Sequence, residues 1–181
     1  MKSVLICAVL VAGSVTFAAD PASQSSSSPS AATSVSFGDR NLTVKYSAPS
    51  MRGRKIFGGL VPFGQVWCAG ENAAVVFHTD ADLVVRDMAL PKGDYTLYVL
   101  VDAKQWQLVI SKQKDPGQKY DEKADYGRIP MDMSNSRTPI ETYKVTLANT
   151  TEREGRLQLE WENTIASVPF KIDVVPGDPD W

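Results

Sequence analysis

Polar and apolar residues alternate along most of the chain between positions 35 and 172, in segments that are each only a few residues long. Alternation with a period of two predicts β-strands that bury one face and expose the other. Turn-forming residues separate the segments, and no segment has the spacing of an amphipathic helix. The pattern therefore predicts an all-β, single-domain antiparallel β-sandwich or flattened barrel of about nine short strands.

Residues 95–102 differ from the other segments because both of their faces are apolar. Leu97 and Val99 fall on one face, whereas Tyr98 and Leu100 fall on the other. A strand that is covered on both sides has this composition. The segment is therefore predicted to be a central strand.

Residues 1–18 have the pattern of a secretory signal peptide, with Lys2 before an apolar run over residues 4–12 and small residues near Ala18. The apolar run is shorter than the roughly 20 residues that span a membrane, so no transmembrane segment is expected. Residues 19–33 are rich in Ser, Ala and Pro, which predicts a flexible tether. A folded domain over residues 34–176 and a polar tail at 177–181 complete the chain. We expect an exported protein, periplasmic or extracellular.

Composition limits the classes of partner and the source of stability. Without the predicted signal peptide the chain has 18 basic and 21 acidic residues, a net charge of −3. So small a charge argues against nucleic-acid binding. Cys68 would be the only remaining cysteine, so no intrachain disulfide can form and a hydrophobic core must hold the fold. Its apolar neighbours Val66 and Trp67 favour a buried, inert thiol.

Residues 47–72 form a long stretch without strand or helix periodicity, and it holds five of the twelve glycines. Connections of this length in a compact domain are usually functional or packed against the core. Arg52, Arg54 and Lys55 could bind a carboxylate, phosphate or sulfate. Alternatively, an arginine could hydrogen-bond the carbonyls of the stretch itself. Trp67 could be a stacking platform or part of the core.

His78 is the only histidine, and it suggests a second candidate site with Asp80 and Asp82. On an uninterrupted strand these three side chains would share a face, and an imidazole with two carboxylates can bind a metal. Residues 79–82 also have the composition of a turn, which would separate them. The corresponding alternative function is a metal-assisted or acid/base hydrolase.

Other catalytic patterns are missing from the sequence. There is no G-x-S-x-G motif, and Gly58-Gly59 lacks the spacing of a phosphate-binding loop. Glu160 and Glu162 fall on one face of a strand, which is predicted to be solvated. No cofactor is expected.

Several motifs run through the predicted domain in a fixed order. YSAPS at 46–50, RGRKIFG at 52–58, LVPFG at 60–64 and VW at 66–67 come first, and LPKGDY at 90–95, LEWENT at 159–164 and VP at 168–169 follow. Together they resemble a bacterial family known as domain of unknown function 2911. The resemblance implies an exported domain of that family's fold and no particular activity.

The chain departs from the family pattern at three charged positions. Ala48 and Cys68 stand where the pattern has arginine, and Ala73 stands where it has glutamate. The candidate ligand-binding residues are Tyr46, Arg52, Arg54, Lys55, Trp67 and Asn72. They predict a non-catalytic envelope binding or structural module, whose partner would be a small anionic ligand, a glycan or an envelope protein.

Overall fold

The computed structural model describes residues 28–71 and 73–173. The predicted signal peptide, residues 19–27 of the predicted tether, Asn72 and the predicted polar tail lie outside these residues. Within them, no helix is long and apolar enough to cross a membrane.

Eleven strands form two antiparallel sheets in the described part of the chain. The strands are β1 Ser30–Phe37, β2 Arg40–Ser47, β3 Gln65–Trp67, β4 Val75–Thr79, β5 Leu83–Val85, β6 Met88–Leu90, β7 Gly93–Val101, β8 Gln107–Ser111, β9 Asp125–Pro130, β10 Asp132–Asn149 and β11 Glu154–Ile172. The larger sheet has the order β1-β2-β4-β7-β8-β9, with β3 also paired to β7, and the smaller has the order β10-β11-β5-β6. The architecture is an all-β sandwich, as predicted.

The predicted central strand is β7. It pairs with β8 on one edge, while β4 and then β3 pair with successive parts of its other edge. Leu97 and Val99 face the buried layer between the sheets, and Tyr98 on the opposite face is also buried. Both faces of β7 are therefore covered, which explains its composition.

β1 begins at Ser30, four residues before the predicted start of the domain. Ala31 pairs with Tyr46 and Thr33 with Val44 in the ladder to β2. These N-terminal residues carry little apolar surface, so the alternation pattern does not register them. Backbone hydrogen bonding to β2 places them in the sheet.

The hairpin of β10 and β11 is long and irregular. Its register shifts between Asn135 and Ile140 and again between Ile140 and Lys144 of β10. Opposite these shifts, Glu162 of β11 has a φ of 55°, a left-handed conformation that is uncommon for residues other than glycine. Residues 48–64 reach the hairpin at this irregularity, and irregularities of this kind commonly bend a strand.

Candidate functional site

Residues 48–64, which we call the docked loop, pack on β10. The Met51 N–H donates to the Glu141 carbonyl at 2.8 Å, and the Tyr143 N–H donates to the Pro49 carbonyl at 2.8 Å. The Glu141 side chain also accepts the Arg52 N–H at 2.8 Å. The docked loop is thus held along its length by hydrogen bonds rather than extended into solvent.

The second half of the docked loop is a tight turn anchored in the core. Ile56 and Phe57 are buried, and the Val61 N–H donates back to the Ile56 carbonyl at 2.9 Å. The Glu162 carboxylate accepts the N–H groups of Ile56 at 3.3 Å and Phe57 at 3.2 Å. Leu60 at the tip of the turn stays 51% exposed. Leu60 is therefore exposed in a turn whose conformation is fixed by these hydrogen bonds.

Aromatic rings fill the space beneath the docked loop. Trp67 stacks on Trp161 with 5.8 Å between ring centroids, and its edge contacts Tyr143 at 5.2 Å. The Trp67 indole N–H donates to the Gly70 carbonyl at 3.1 Å. Phe57 contacts Trp67 edge-on at 6.0 Å between ring centroids, and it contacts Trp106 at 4.5 Å. The position of Trp67 is thereby fixed on two sides.

A cleft of about 760 Å³ lies between the docked loop and residues 112–124, which we call the covering segment. Its docked-loop wall includes Pro49, Arg54 and Leu60 to Pro62, and its floor includes the three residues of β3. The opposite wall is formed by the covering segment. The residues lining the cleft are Pro49, Arg54, Leu60, Val61, Pro62, Gln65, Val66, Trp67, Cys68, Gly70, Glu71, Ala73, Tyr98, Pro116, Gln118, Lys119, Tyr120 and Trp161. Most of these side chains are apolar or aromatic.

The covering segment is tied to the larger sheet by a polar network at its C-terminal end. The Tyr120 hydroxyl donates to Asp125 at 2.7 Å and accepts from the Arg128 guanidinium at 2.8 Å. Burial, followed by the bond to Asp125, raises the pKa of Tyr120 to about 12. At the other end of the segment, the Pro116 carbonyl accepts the Ala74 N–H at 3.0 Å. These bonds fix the wall of the cleft.

Tyr98 and Cys68 lie where the covering segment meets the sheet. Tyr98 is 2% exposed and its ring packs against Tyr120 at 4.9 Å between centroids. No described residue offers its hydroxyl a hydrogen-bond partner. The Cys68 thiol donates to the Gly70 carbonyl at 3.3 Å, and burial raises its pKa. Cys68 is half-buried and lines the cleft, whereas the sequence predicted a buried thiol, and its raised pKa makes it a weak nucleophile.

The segment that connects β3 to β4 is held in place by hydrogen bonds to the side chain of Ser47. The Ser47 hydroxyl donates to the Glu71 carbonyl at 2.9 Å and accepts the Glu71 N–H at 2.7 Å. The Glu71 carboxylate accepts hydrogen bonds from Ser28, and the hydroxyl bond lowers the pKa of Glu71 most. This carboxylate is therefore held ionised at the edge of the cleft.

A family model described as "Protein of unknown function (DUF2911)" matches residues 28–170. The chain belongs to this family. The matched range includes the docked loop, the covering segment and every residue that lines the cleft. No curated protein and no solved structure matches the chain.

Three predicted ligand-binding residues of this DUF2911 protein are cationic, and one of them clearly supports the docked loop. Arg54 donates from Nε to the Met51 carbonyl at 3.0 Å and from Nη2 to the Ser50 carbonyl at 2.9 Å. It also lines the cleft. Arg52 has a φ of 49° and Lys55 is exposed, and neither lines the cleft. The cluster of three cations predicted from the sequence is thus not gathered at one surface of the cleft.

The remaining predicted ligand-binding residues occupy different places. Trp67 lines the cleft. Tyr46 packs edge-on against Tyr143 and lines a neighbouring hollow of about 460 Å³ on the outer face of the sheet. Asn72 lies outside the described residues.

The predicted metal set is not assembled. His78 Nε2 lies 2.9 Å from Asp80 and Nδ1 lies 2.7 Å from Asp94, so both ring nitrogens bond to carboxylates. The third predicted ligand, Asp82, instead accepts the Lys92 N–H at 2.7 Å. β4 ends at Thr79, and the turn that follows separates Asp82 from His78. Across residues 28–71 and 73–173, no group of three or more His, Cys, Asp or Glu side chains could hold a metal ion.

The sequence pattern did not indicate the residues of the opposite wall or the anchor of the docked loop. Residues 112–125 look like a solvated charged loop, yet Pro116 and Tyr120 cover the outer face of the sheet. The apolar outer face of β7 was the signal for such a cover. Strand alternation predicts a solvated Glu162, whereas its carboxylate accepts the N–H groups of Ile56 and Phe57 and its backbone is left-handed.

Proposed function

We propose that this DUF2911 protein is an exported, non-catalytic binding module that holds a small ligand in the cleft between the docked loop and the covering segment. The cleft itself is the observation that carries the proposal. Its volume of about 760 Å³ falls in the range of roughly 300–1,000 Å³ that is usual for ligand sites. Its walls combine apolar side chains with a few polar groups, which is also usual for such sites.

Rigid walls support a binding role. Both sides of the cleft are fixed by hydrogen bonds to the sandwich, at Glu162 for the docked loop and at Asp125 for the covering segment. A site that is formed before the ligand arrives loses less conformational entropy on binding. The geometry therefore favours recognition of a ligand by shape.

Reactive groups near the cleft support binding rather than catalysis. Cys68 has a raised pKa, and Glu71 already accepts hydrogen bonds from Ser28. His78 does not line the cleft. The roles of nucleophile and general base therefore have no evident candidate among the described residues that line it.

A thermal-shift screen tests the proposal. The folded domain would be exposed to a panel of aromatic, acyl and glycan fragments, and a ligand at about 100 times its dissociation constant should stabilise it by roughly 2.7 kcal/mol. Leu60→Asp places a charge on the cleft wall and should abolish the shift. Phe63→Asp is the matched control, since Phe63 lies in the same turn at 46% exposure and does not line the cleft.

The proposal is contradicted if hits shift both variants as they shift the unmodified protein. Binding would then occur outside the cleft. Loss of the shift in Leu60→Asp alone supports it.

A further inference from the structure

The hydroxyl of Tyr98 is buried and has no hydrogen-bond partner among the described residues, so a ligand in the cleft could supply one. Tyr98 projects from the outer face of β7, in a cluster with Ala74 and Val109 that Cys68 and Tyr120 pack against. It is 2% exposed, and none of the described residues bonds its hydroxyl. A buried hydroxyl without a partner loses the hydrogen bonds that it makes to water in the unfolded chain. The hydroxyl therefore destabilises the free protein unless something else bonds to it.

Tyr98 also lines the cleft, which we have proposed as the ligand site. A ligand with an oxygen at its inner end would supply the missing partner. A site that holds a buried hydrogen-bonding group discriminates strongly against ligands that leave the group unpaired. Tyr98 would thus act as a specificity-determining residue.

The charges around Tyr98 indicate which kind of oxygen is suitable. Burial raises the pKa of the Tyr98 hydroxyl most, and Cys68, Asp125 and Asp115 raise it further, so the hydroxyl is a neutral donor. A ligand anion placed there would be repelled by the same carboxylates and would lose its hydration. The cations that line the cleft, Arg54 and Lys119, belong to its two walls. The inner end of the ligand should therefore be uncharged.

We propose that the cleft selects apolar molecules, aromatic or acyl, whose inner end carries a neutral oxygen acceptor that the Tyr98 hydroxyl bonds. Ketones, esters and amides have this chemistry. The inference rests on the proposed function and narrows it to a ligand class. Because the hydroxyl is buried in the free protein, this contact requires side chains around Tyr98 to shift, while the hydrogen bonds that hold the covering segment stay in place.

Prodan, a dimethylaminonaphthalene that bears a propionyl ketone, is a suitable probe because its emission moves to longer wavelength when a donor bonds the ketone. Dimethylaminonaphthalene without the ketone is the matched ligand. We expect the protein to bind prodan about ten-fold more tightly than the ketone-free ring, which is the effect of one hydrogen bond.

Tyr98→Phe keeps the ring and removes the hydroxyl. It should erase the preference for prodan and move the emission of the bound probe to shorter wavelength, while the thermal midpoint stays equal or rises. Tyr143→Phe is the matched control. The Tyr143 hydroxyl is also buried and without a partner among the described residues, but Tyr143 does not line the cleft. This variant should keep the preference.

The outcomes separate the inference from the proposed function. Binding of both probes with equal affinity, or an unchanged preference in Tyr98→Phe, overturns the inference and leaves the cleft as a binding site. Binding of neither probe, together with no cleft-dependent ligand in the thermal-shift screen, overturns both.

Discussion

Glu162 and Phe57 are 105 positions apart, and a hydrogen bond of 3.2 Å joins the Glu162 carboxylate to the Phe57 N–H. Phe57 is buried among the rings beneath the docked loop, so its N–H has no access to solvent there. A carboxylate from the irregular part of β11 thus supplies an acceptor that the turn cannot supply itself. This bond therefore anchors the docked loop, which forms one wall of the cleft, to the irregular part of β11.

Replacement of Glu162 by Ala should destabilise the domain by about 2–3 kcal/mol. The variant leaves the buried N–H groups of Ile56 and Phe57 without their acceptor, and hydrogen bonds to charged groups are the stronger kind. Urea unfolding measures the change. Glu160→Ala is the control, because its carboxylate accepts a hydrogen bond from the half-buried side-chain amide of Gln158 rather than from the docked loop. Equal losses in the two variants would rule out the anchoring role of Glu162.

The alternation of apolar residues was sufficient to predict the fold class and β7. It works because a strand buries every second side chain, whatever the sheet order. It could not predict β3, whose three residues are too few to show a period, nor the β10–β11 register shifts. Strand pairing depends on contacts between distant segments, and these leave no local signature.

The candidate site was predicted only in part. The composition of residues 47–72 pointed to the docked loop, because a long glycine-rich stretch needs a reason to be ordered. The covering segment was missed because its many charged residues obscure the few that pack inward, chiefly Pro116 and Tyr120. The positive charges of Arg52, Arg54 and Lys55 predicted an anion site. Arg54 instead donates hydrogen bonds to carbonyls of the docked loop itself.

Arg54→Lys should cost about 0.5–1.5 kcal/mol of stability. A lysine ammonium cannot reproduce the planar fork that reaches the Ser50 and Met51 carbonyls together. Lys55→Gln removes a charge from the neighbouring exposed position and should change stability little. Chemical denaturation of both variants tests this, and an unaltered midpoint in Arg54→Lys would show that charge alone matters at position 54.

His78 should make stability depend on pH. Its hydrogen bonds to Asp94, and then to Asp80, raise its pKa above the ordinary value of 6.5. The stabilisation is fully present below about pH 6.5 and is lost as pH rises through the folded-state pKa. His78→Gln should therefore lower stability near pH 6, by less than about 1 kcal/mol because the pair is exposed and screened, and should be neutral near pH 9. A deficit that grows toward high pH would contradict this.

Gly155→Ala should destabilise the protein more than Gly127→Ala does. A Cβ at Gly155 would collide with the buried ring of Phe170 and lie 2.9 Å from the Ala148 carbonyl, neither of which can easily move. A Cβ at Gly127 would meet the end of the Met88 side chain, which is flexible. We expect about 1–3 kcal/mol for the first and less than about 1 kcal/mol for the second. Thermal unfolding of the two variants decides the order.

Amide chemical shifts recorded by NMR during a prodan titration test the central claim most directly. If the cleft is the ligand site, the largest changes will fall on the docked-loop turn near Leu60, on Gly70 and on the covering segment near Tyr120. Amides beside His78 and Asp94, on a surface that does not line the cleft, should not respond. Changes centred on His78, or spread evenly over the surface, would contradict the assignment of the cleft.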